Sequence, residues 1–423
     1  MTNASEALSN NPQRANRLSI ILMLFALLLA PLSLLAAKAV VPLVFAAALA
    51  GGLVLGTSAL PWRVIDRRLA GALALFIAWC LVAAWWSFHP ADAATLALRV
   101  GVLLLVLLYL AGLVRLLDDR QRKRVVHGLC LGFAVAASIV LIDLLFGMPI
   151  FGLLKGTAGG GNTNWQLNRG VSALAILVWP LAAFAWRQGW HAAALLLPSA
   201  FFALTLLSDS SSSMIALGAA LLATAVACFG RAAARLVLAA AVVGTLLAAP
   251  LAVDLIPRAG LDQDEMLPRN ALHRLHIWEV VSDRIGERPV LGWGFDASPD
   301  LPTAGVEPFA PGVKIIPSHP HNGALQIMVE TGAVGILFAV AVLVLIARRI
   351  DRLGSPAMVF AVAMFVTVLG IASIAYGLWQ SHWLALAGAA AAVFVAVLPA
   401  PGPKEAGQMT AQLLGSDGRT TEP

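Results

Sequence analysis

Apolar runs long enough to cross a membrane recur almost from one end of this chain to the other. A helix needs roughly 17 to 25 such residues to span a hydrocarbon core, and twelve stretches qualify, near 18–36, 39–60, 69–86, 96–114, 125–147, 170–186, 190–207, 212–229, 234–254, 323–347, 357–376 and 382–399. The pattern predicts an all-α polytopic membrane protein with about twelve transmembrane helices and one large periplasmic loop containing short interfacial helices. Segments one to nine occupy residues 1–254 with a cytoplasmic N-terminus, the long loop residues 255–321, segments ten to twelve residues 322–400, and a cytoplasmic, disordered tail residues 401–423.

The polar punctuation fixes the orientation, because cytoplasmic loops retain Lys and Arg. With the N-terminus inside, the inside connections hold eighteen cations, among them Arg67, Arg68, Arg120, Arg122, Arg348 and Arg349; the short outside loops hold three, Lys38, Lys155 and Arg169. Missing one helix would scramble that split. Ala37-Lys38-Ala39 formally satisfies a signal-peptide cleavage pattern, but the apolar run before it is longer than such a peptide requires, so the first helix is read as uncleaved.

Composition agrees. Apolar residues make up 60% of the 423 positions and charged residues 12%, too little polar surface to cover a soluble globule. The net charge of +6 lies in short clusters between apolar runs and not along a stripe, so nucleic acid is not an expected partner. Cys80, Cys130 and Cys228 lie inside apolar runs without paired spacing, and neither disulfide nor zinc is implied. No phosphate-binding P-loop, dinucleotide fingerprint or acidic metal cluster is legible, so no cofactor is expected.

Two outside connections are longer than turns, and long loops between membrane helices usually carry function. One holds a Gly- and Asn-rich run from Gly156 to Arg169. The other carries His273-Arg274-Leu-His276-Ile-Trp278 through Arg284, an amphipathic pattern with Trp278, Val281 and Ile285 on one face. That helix is expected on the membrane surface, Trp278 anchoring it at headgroup depth, with Arg274 and Arg284 facing either substrate or merely water and lipid phosphate. Pro289-Val-Leu-Gly292-Trp293-Gly294 follows as a tight turn. Next, Ser318-His319-Pro320-His321-Asn322 leads into Gln326 and Glu330, a stripe repeating every four residues that faces either a cavity or a neighbouring helix. The helix is expected to begin at Pro320 or His321, which places His321 in its first turn as the preferred general base. His319, in the loop, competes for that role. Gly332 and Gly335 read as sites of close approach. Arg99 and Asp143, inside segments, either pair with each other or serve function, and Arg99 could snorkel. Ser208-Asp-Ser-Ser-Ser-Ser213 reads as a helix cap.

In Arg274-Leu-His-Ile-Trp278, Pro289-Val-Leu-Gly-Trp-Gly294, His321-Asn322 and Glu330-Thr-Gly332-Ala-Val-Gly335 the chain resembles the bacterial superfamily of O-antigen ligases, O-antigen polymerases and protein O-oligosaccharyltransferases. It departs in one respect: the family often has Ser-Arg after the segment-seven turn, and Ser208–Ser213 contains no Arg. The resemblance implies transfer of a glycan from undecaprenyl diphosphate to a hydroxyl at the periplasmic face of the inner membrane, without metal or nucleotide. His321 would be catalytic, and Arg169, Arg274, Arg284, His319, Asn322 and Gln326 would bind substrate. The ligase reading, with lipid A-core as acceptor in lipopolysaccharide biosynthesis, is favoured over the polymerase and over the protein-directed enzymes, which generally carry a larger soluble C-terminal region. A non-enzymatic transporter of lipid-linked glycan should instead show charge along its whole path through the bilayer. Reporter fusions after Arg120 and Arg352 are expected to read cytoplasmic and one near Asp264 periplasmic; a cytoplasmic reading at Asp264 overturns the topology.

Overall fold

The structure, a computed structural model, describes residues 11–56, 65–155, 164–260 and 267–400. The glycine-rich part of the first outside loop (156–163), Asp264 and the tail over 401–423 lie outside the described residues. Every apolar segment read from the sequence is helical, and no strand occurs among the described residues. The helices are α1 (Pro12–Leu35), α2 (Val40–Leu55), α3 (Arg67–Ala83), α4 (Pro90–Arg115), α5 (Asp119–Phe146), α6 (Pro149–Lys155), α7 (Asn168–Arg187), α8 (His191–Thr205), α9 (Ser211–Ala227), α10 (Arg231–Arg258), α11 (Arg269–Glu287), α12 (Gly323–Asp351), α13 (Ser355–Ile374) and α14 (Ser381–Val397). Among the described residues nine spans are long and apolar enough to cross a membrane, whereas α8, α9 and α14 are shorter apolar helices. The chain is a multi-pass membrane protein. Helix α10 runs on to Arg258, so the long connection begins a few residues later than the apolar pattern suggested.

The chain divides into two compact units. The first comprises Met1–Ala70, Leu104–Ser210 and Ala385–Pro423. Its tightest crossing is α1 on α5, and small residues allow it: a Cβ on Gly128 would lie 2.4 Å from the Met23 carbonyl oxygen, and one on Gly132 only 2.0 Å from that of Leu27. Helix α7 is buried along nearly its whole length. Asp143 turns out to be architectural. Its buried carboxylate accepts from the backbone N–H groups of Ile150 (2.7 Å) and Phe151 (3.1 Å), capping α6. Arg99, by contrast, is exposed on α4. At the opposite end of α5, buried Arg122 donates to the carbonyls of Arg115, Leu117, Leu398 and Pro399, satisfying oxygens that a helix end leaves free. Arg187 bridges Asp119 at 2.9 Å and also donates to Val397.

The second unit comprises Gly71–Leu103 and Ser211–Leu384. Helix α13 is its spine. It packs on α9, where Gly370 would place a Cβ 2.9 Å from that of Ala216, and it shares a core with α10 formed by Ala234, Leu238, Val362, Phe365 and Leu369. A separate core lies under α11, where Ile277, Trp278, Val280 and Val281 meet Trp293, Ile315, Ile316, Leu325 and Val329. This corrects one expectation. Trp278 is not an anchor among lipid headgroups: the long connection folds back and covers the apolar face of α11, and the indole N–H donates to the Pro320 carbonyl at 2.9 Å. An indole buried in protein needs such an acceptor.

Replacing Gly132 with Val should lower the thermal midpoint of the purified protein markedly, by overpacking of about 1 to 3 kcal/mol or more, because the new side chain meets backbone that cannot yield. An unchanged midpoint would contradict the α1–α5 crossing described here.

Candidate functional site

The candidate site lies in the second unit, where the start of α12 meets the connection between α13 and α14. Asn322, not Pro320 or His321, opens the helix: its Oδ1 accepts from the Leu325 N–H at 2.9 Å, making it the N-cap. Asn is a strong N-cap and His is not, so His321 stands just outside the helix with φ 57°, a left-handed conformation uncommon for a side-chain-bearing residue. The sequence expectation of His321 in the first turn is corrected by one cap position. His319 lies in the loop, as expected.

The polar stripe is real, and its hydrogen bonds run to the end of α13, to the α13–α14 connection and to the long connection before α12. The Asn322 amide donates to the Ser373 carbonyl (2.8 Å), and Gln326 accepts from the Leu378 N–H (2.8 Å) while donating to Glu330 (3.1 Å). Glu330, fully buried, also accepts from Ser298 Oγ (2.5 Å), Trp379 Nε1 (2.6 Å) and the Asp296 N–H (3.1 Å). Those four donors fill the acceptor positions of a carboxylate. Asn322, Gln326 and Glu330 thus spend their polar atoms inside the protein.

Two residues further, α12 is broken at Gly332 (φ 67°, ψ −169°). The Pro289–Gly294 turn docks into the break: Trp293 N–H donates to the Val329 carbonyl (2.8 Å), Gly294 N–H to that of Glu330 (3.0 Å), and Ala333 N–H to that of Pro289 (2.9 Å). A Cβ on Gly332 would sit 2.1 Å from the Val290 oxygen, and one on Gly292 2.6 Å from the Glu330 carbonyl carbon. Both glycines have positive φ, so two motifs legible separately in the sequence are the two halves of one joint.

The two histidines differ in what their nitrogens do. His321 Nδ1 lies 2.9 Å from the Ala375 carbonyl oxygen, which can only accept, so Nδ1 carries the hydrogen and Nε2 the lone pair. Nε2 has no hydrogen-bond partner among the described residues. His319 Nδ1 instead accepts from the His321 backbone N–H (3.2 Å), so its hydrogen is on Nε2, 3.0 Å from the Gln380 amide. Burial, with His321 and Arg274 adding to it, depresses the His319 pKa to about 3. His321 is also lowered, chiefly by burial, with the Ala375 hydrogen bond opposing and the Arg274 and His273 charges reinforcing.

Arg274, half-buried on α11, is therefore near enough to act electrostatically on both rings, and it has no ion-pair or hydrogen-bond partner among the described residues. Arg284, also on α11, pairs with Glu287. Arg169 stands exposed in the first turn of α7, within the first unit. The structure thus brings together His319, His321, Arg274, Asn322 and Gln326 of the residues anticipated from sequence.

Sequence reasoning overlooked the α13–α14 connection, which holds His321 through Ala375, Gln326 through Leu378 and Glu330 through Trp379. Its one signal was the aromatic and polar interruption Tyr376-Gly-Leu-Trp-Gln-Ser-His382 between two apolar runs. It also overlooked Asp296, at φ 60°, whose carboxyl is pushed up by burial and by Asp300 and Asp92, with His89 opposing. Among the described residues no group of three or more His, Cys, Asp or Glu side chains could hold a metal ion.

Residues 192–340, covering α8 to most of α12, match the family model described as O-Antigen ligase, and the resemblance carried by the motifs is borne out over that stretch. Three curated relatives, each carrying the name "Putative polysaccharide ligase", are similar over most of their length. Those of Rickettsia typhi and Rickettsia prowazekii are each 25% identical, and that of Rickettsia felis 26%, over 73% of this chain and 76% of each relative. No solved structure matches the chain.

Because both rings are held neutral, acid should destabilise the fold. Below pH 6.5 the unfolded chain binds protons that the folded His319 refuses until about pH 3, so stability falls as pH drops through that interval. A thermal midpoint measured in detergent should be clearly lower at pH 5 than at pH 7.5, and His319→Asn should shrink the difference; equal midpoints in the wild-type protein would count against a buried neutral His319.

Proposed function

We propose that the protein is an O-antigen ligase-type glycosyltransferase, moving O-antigen polysaccharide from undecaprenyl diphosphate to lipid A-core at the periplasmic face of the bacterial inner membrane. The observation that carries the reading is His321: a ring fixed through Nδ1–H to a backbone carbonyl, with neither its Nε2 lone pair nor the nearby Arg274 partnered among the described residues. The O-antigen ligase family match and the polysaccharide ligase relatives support the same class.

The chemistry follows from those two groups. The acceptor hydroxyl gives its proton to His321 Nε2 as its oxygen attacks the anomeric carbon. The bond from that carbon to the diphosphate oxygen breaks, and undecaprenyl diphosphate departs with the electron pair. Its charge is met by the guanidinium of Arg274, since Arg presents a planar donor fork suited to phosphate. The hydrogen bond to Ala375 strengthens when the ring becomes cationic, so the proton is held until the departing diphosphate or water takes it. Asn322, Gln326 and His319 contribute by shaping the site, and Arg284 by reaching donor phosphate from its pair with Glu287. No metal, nucleotide or nucleic acid takes part.

The polymerase reaction would use the same donor and differ only in acceptor. A null strain separates the readings: accumulated full-length lipid-linked glycan above uncapped lipid A-core marks the ligase, and loss of long glycan the polymerase. Intact lipopolysaccharide with an unglycosylated protein would mark the protein-directed enzyme.

With purified donor and acceptor, His321→Ala should lower the transfer rate by about 10² to 10⁴ with donor binding retained. Arg274→Ala should weaken use of the donor by about 2 to 5 kcal/mol, Lys restoring only part. Because neutral His321 is the working form and its pKa lies below 6.5, the rate should fall only on the acid side of that value. An active His321→Ala enzyme would remove the base from this scheme.

A further inference from the structure

His321 is the residue on which the proposed chemistry turns, and it occupies a backbone conformation that L-residues with side chains rarely adopt. Something must hold it there. The preceding two residues are fixed from two directions: the Pro320 carbonyl accepts from Trp278 Nε1 at 2.9 Å, and His319 is gripped on both ring nitrogens. His319 Nδ1 takes the His321 N–H, an amide that α12 does not use, since the helix begins only at Gly323.

The ring is clamped in turn. A neutral imidazole has one N–H, and with Nδ1 accepting, Nε2 must donate. The Gln380 amide therefore presents its oxygen, its two terminal atoms being interchangeable by a half-turn. The opposing wall is Gly377, where a Cβ would stand 2.6 Å from His319 Cδ2. The two imidazoles meet edge to face with centroids 4.2 Å apart. His319 has no lone pair left for chemistry.

We infer that His319 is a positioning residue: clamped between Gln380 and Gly377, it holds the His321 backbone in its left-handed turn and so sets the direction in which His321 Nε2 points. The contact is a side-chain acceptor taking the N–H two residues ahead, the arrangement that Asn and Asp make routinely in turns. An Asn at 319 can therefore reproduce the bond without any titratable group, and a Leu cannot.

This rests on the reading of His321 as the base, and two independent measurements test it. The first is transfer kinetics with undecaprenyl-diphosphate-linked glycan and lipid A-core. His319→Leu should lose about 10²-fold in kcat, the scale of a misplaced reacting group, with little change in KM, while His319→Asn keeps most of kcat. The second needs no glycan: the pH dependence of His321 carbethoxylation by diethyl pyrocarbonate, read by peptide mass spectrometry on the full-length protein. The midpoint should stay put in His319→Asn. In His319→Leu it should rise toward 6.5, because burial is the main cause of its depression and the freed ring loses that burial.

If His319→Asn is as inactive as His319→Leu, or if His319→Leu keeps wild-type kcat and midpoint, the inference fails. Should His319→Leu not fold, His319→Asn decides alone: retained transfer and midpoint support positioning, and their loss overturns it. A wild-type protein that transfers no glycan would defeat the proposed function, while the carbethoxylation comparison would still decide what His319 does to His321.

Discussion

The site depends on one buried carboxylate. Glu330 draws donors from Ser298 and Asp296 on the long connection, from Gln326 on its own helix and from Trp379 between α13 and α14. In lipid no water waits to satisfy a polar group, so every such atom must find a partner within the protein. Glu330 makes that requirement structural: three segments far apart in sequence must converge for its oxygens to be met, and none can leave without stranding a buried acceptor. The break at Gly332 follows from the same place. It releases backbone carbonyls that the Pro289–Gly294 turn then satisfies, so the segment following α11 and its Arg274 is fastened directly to the helix that follows His321.

The arginines of the chain separate by their partners. Arg122, Arg187 and Arg284 have their guanidinium groups engaged by carbonyls or carboxylates of the protein. Arg274 is half-buried and unengaged among the described residues, at a cost in desolvation visible in its lowered pKa. A cation kept partly out of water without a counter-charge is what a site for an anionic leaving group requires.

How much of this could be read from the sequence depended on distance along the chain. Apolar run length located every long apolar helix, with starts up to six residues late where polar first turns precede the apolar run, because lipid imposes that length locally. The stripe at 322, 326 and 330 was equally legible, since helical periodicity is local too. What could not be read were partners of those residues. Nothing near His321 indicates that Ala375 sets its tautomer, and nothing near Glu330 indicates Trp379 or Asp296. Trp278 was misplaced for a related reason: an amphipathic helix has the same pattern whether lipid or a returning loop covers its apolar face, and only the fold of Trp293, Ile315 and Ile316 over it decides. The helix starts two or three residues later than expected because the N-cap is chosen by competition among neighbouring polar side chains, and Asn322 wins over His321.

Helices α8, α9 and α14 contain 15, 17 and 17 residues, or roughly 22 to 26 Å at 1.5 Å per residue against a hydrocarbon layer of about 30 Å. A helix of that length crosses only where acyl chains compress or flanking residues pull headgroups inward, and such hydrophobic mismatch costs a fraction of a kcal/mol per Å. Each such helix would therefore draw the bilayer thinner around itself. The thickness of the host membrane itself thus becomes a variable on which the cost of seating these helices depends.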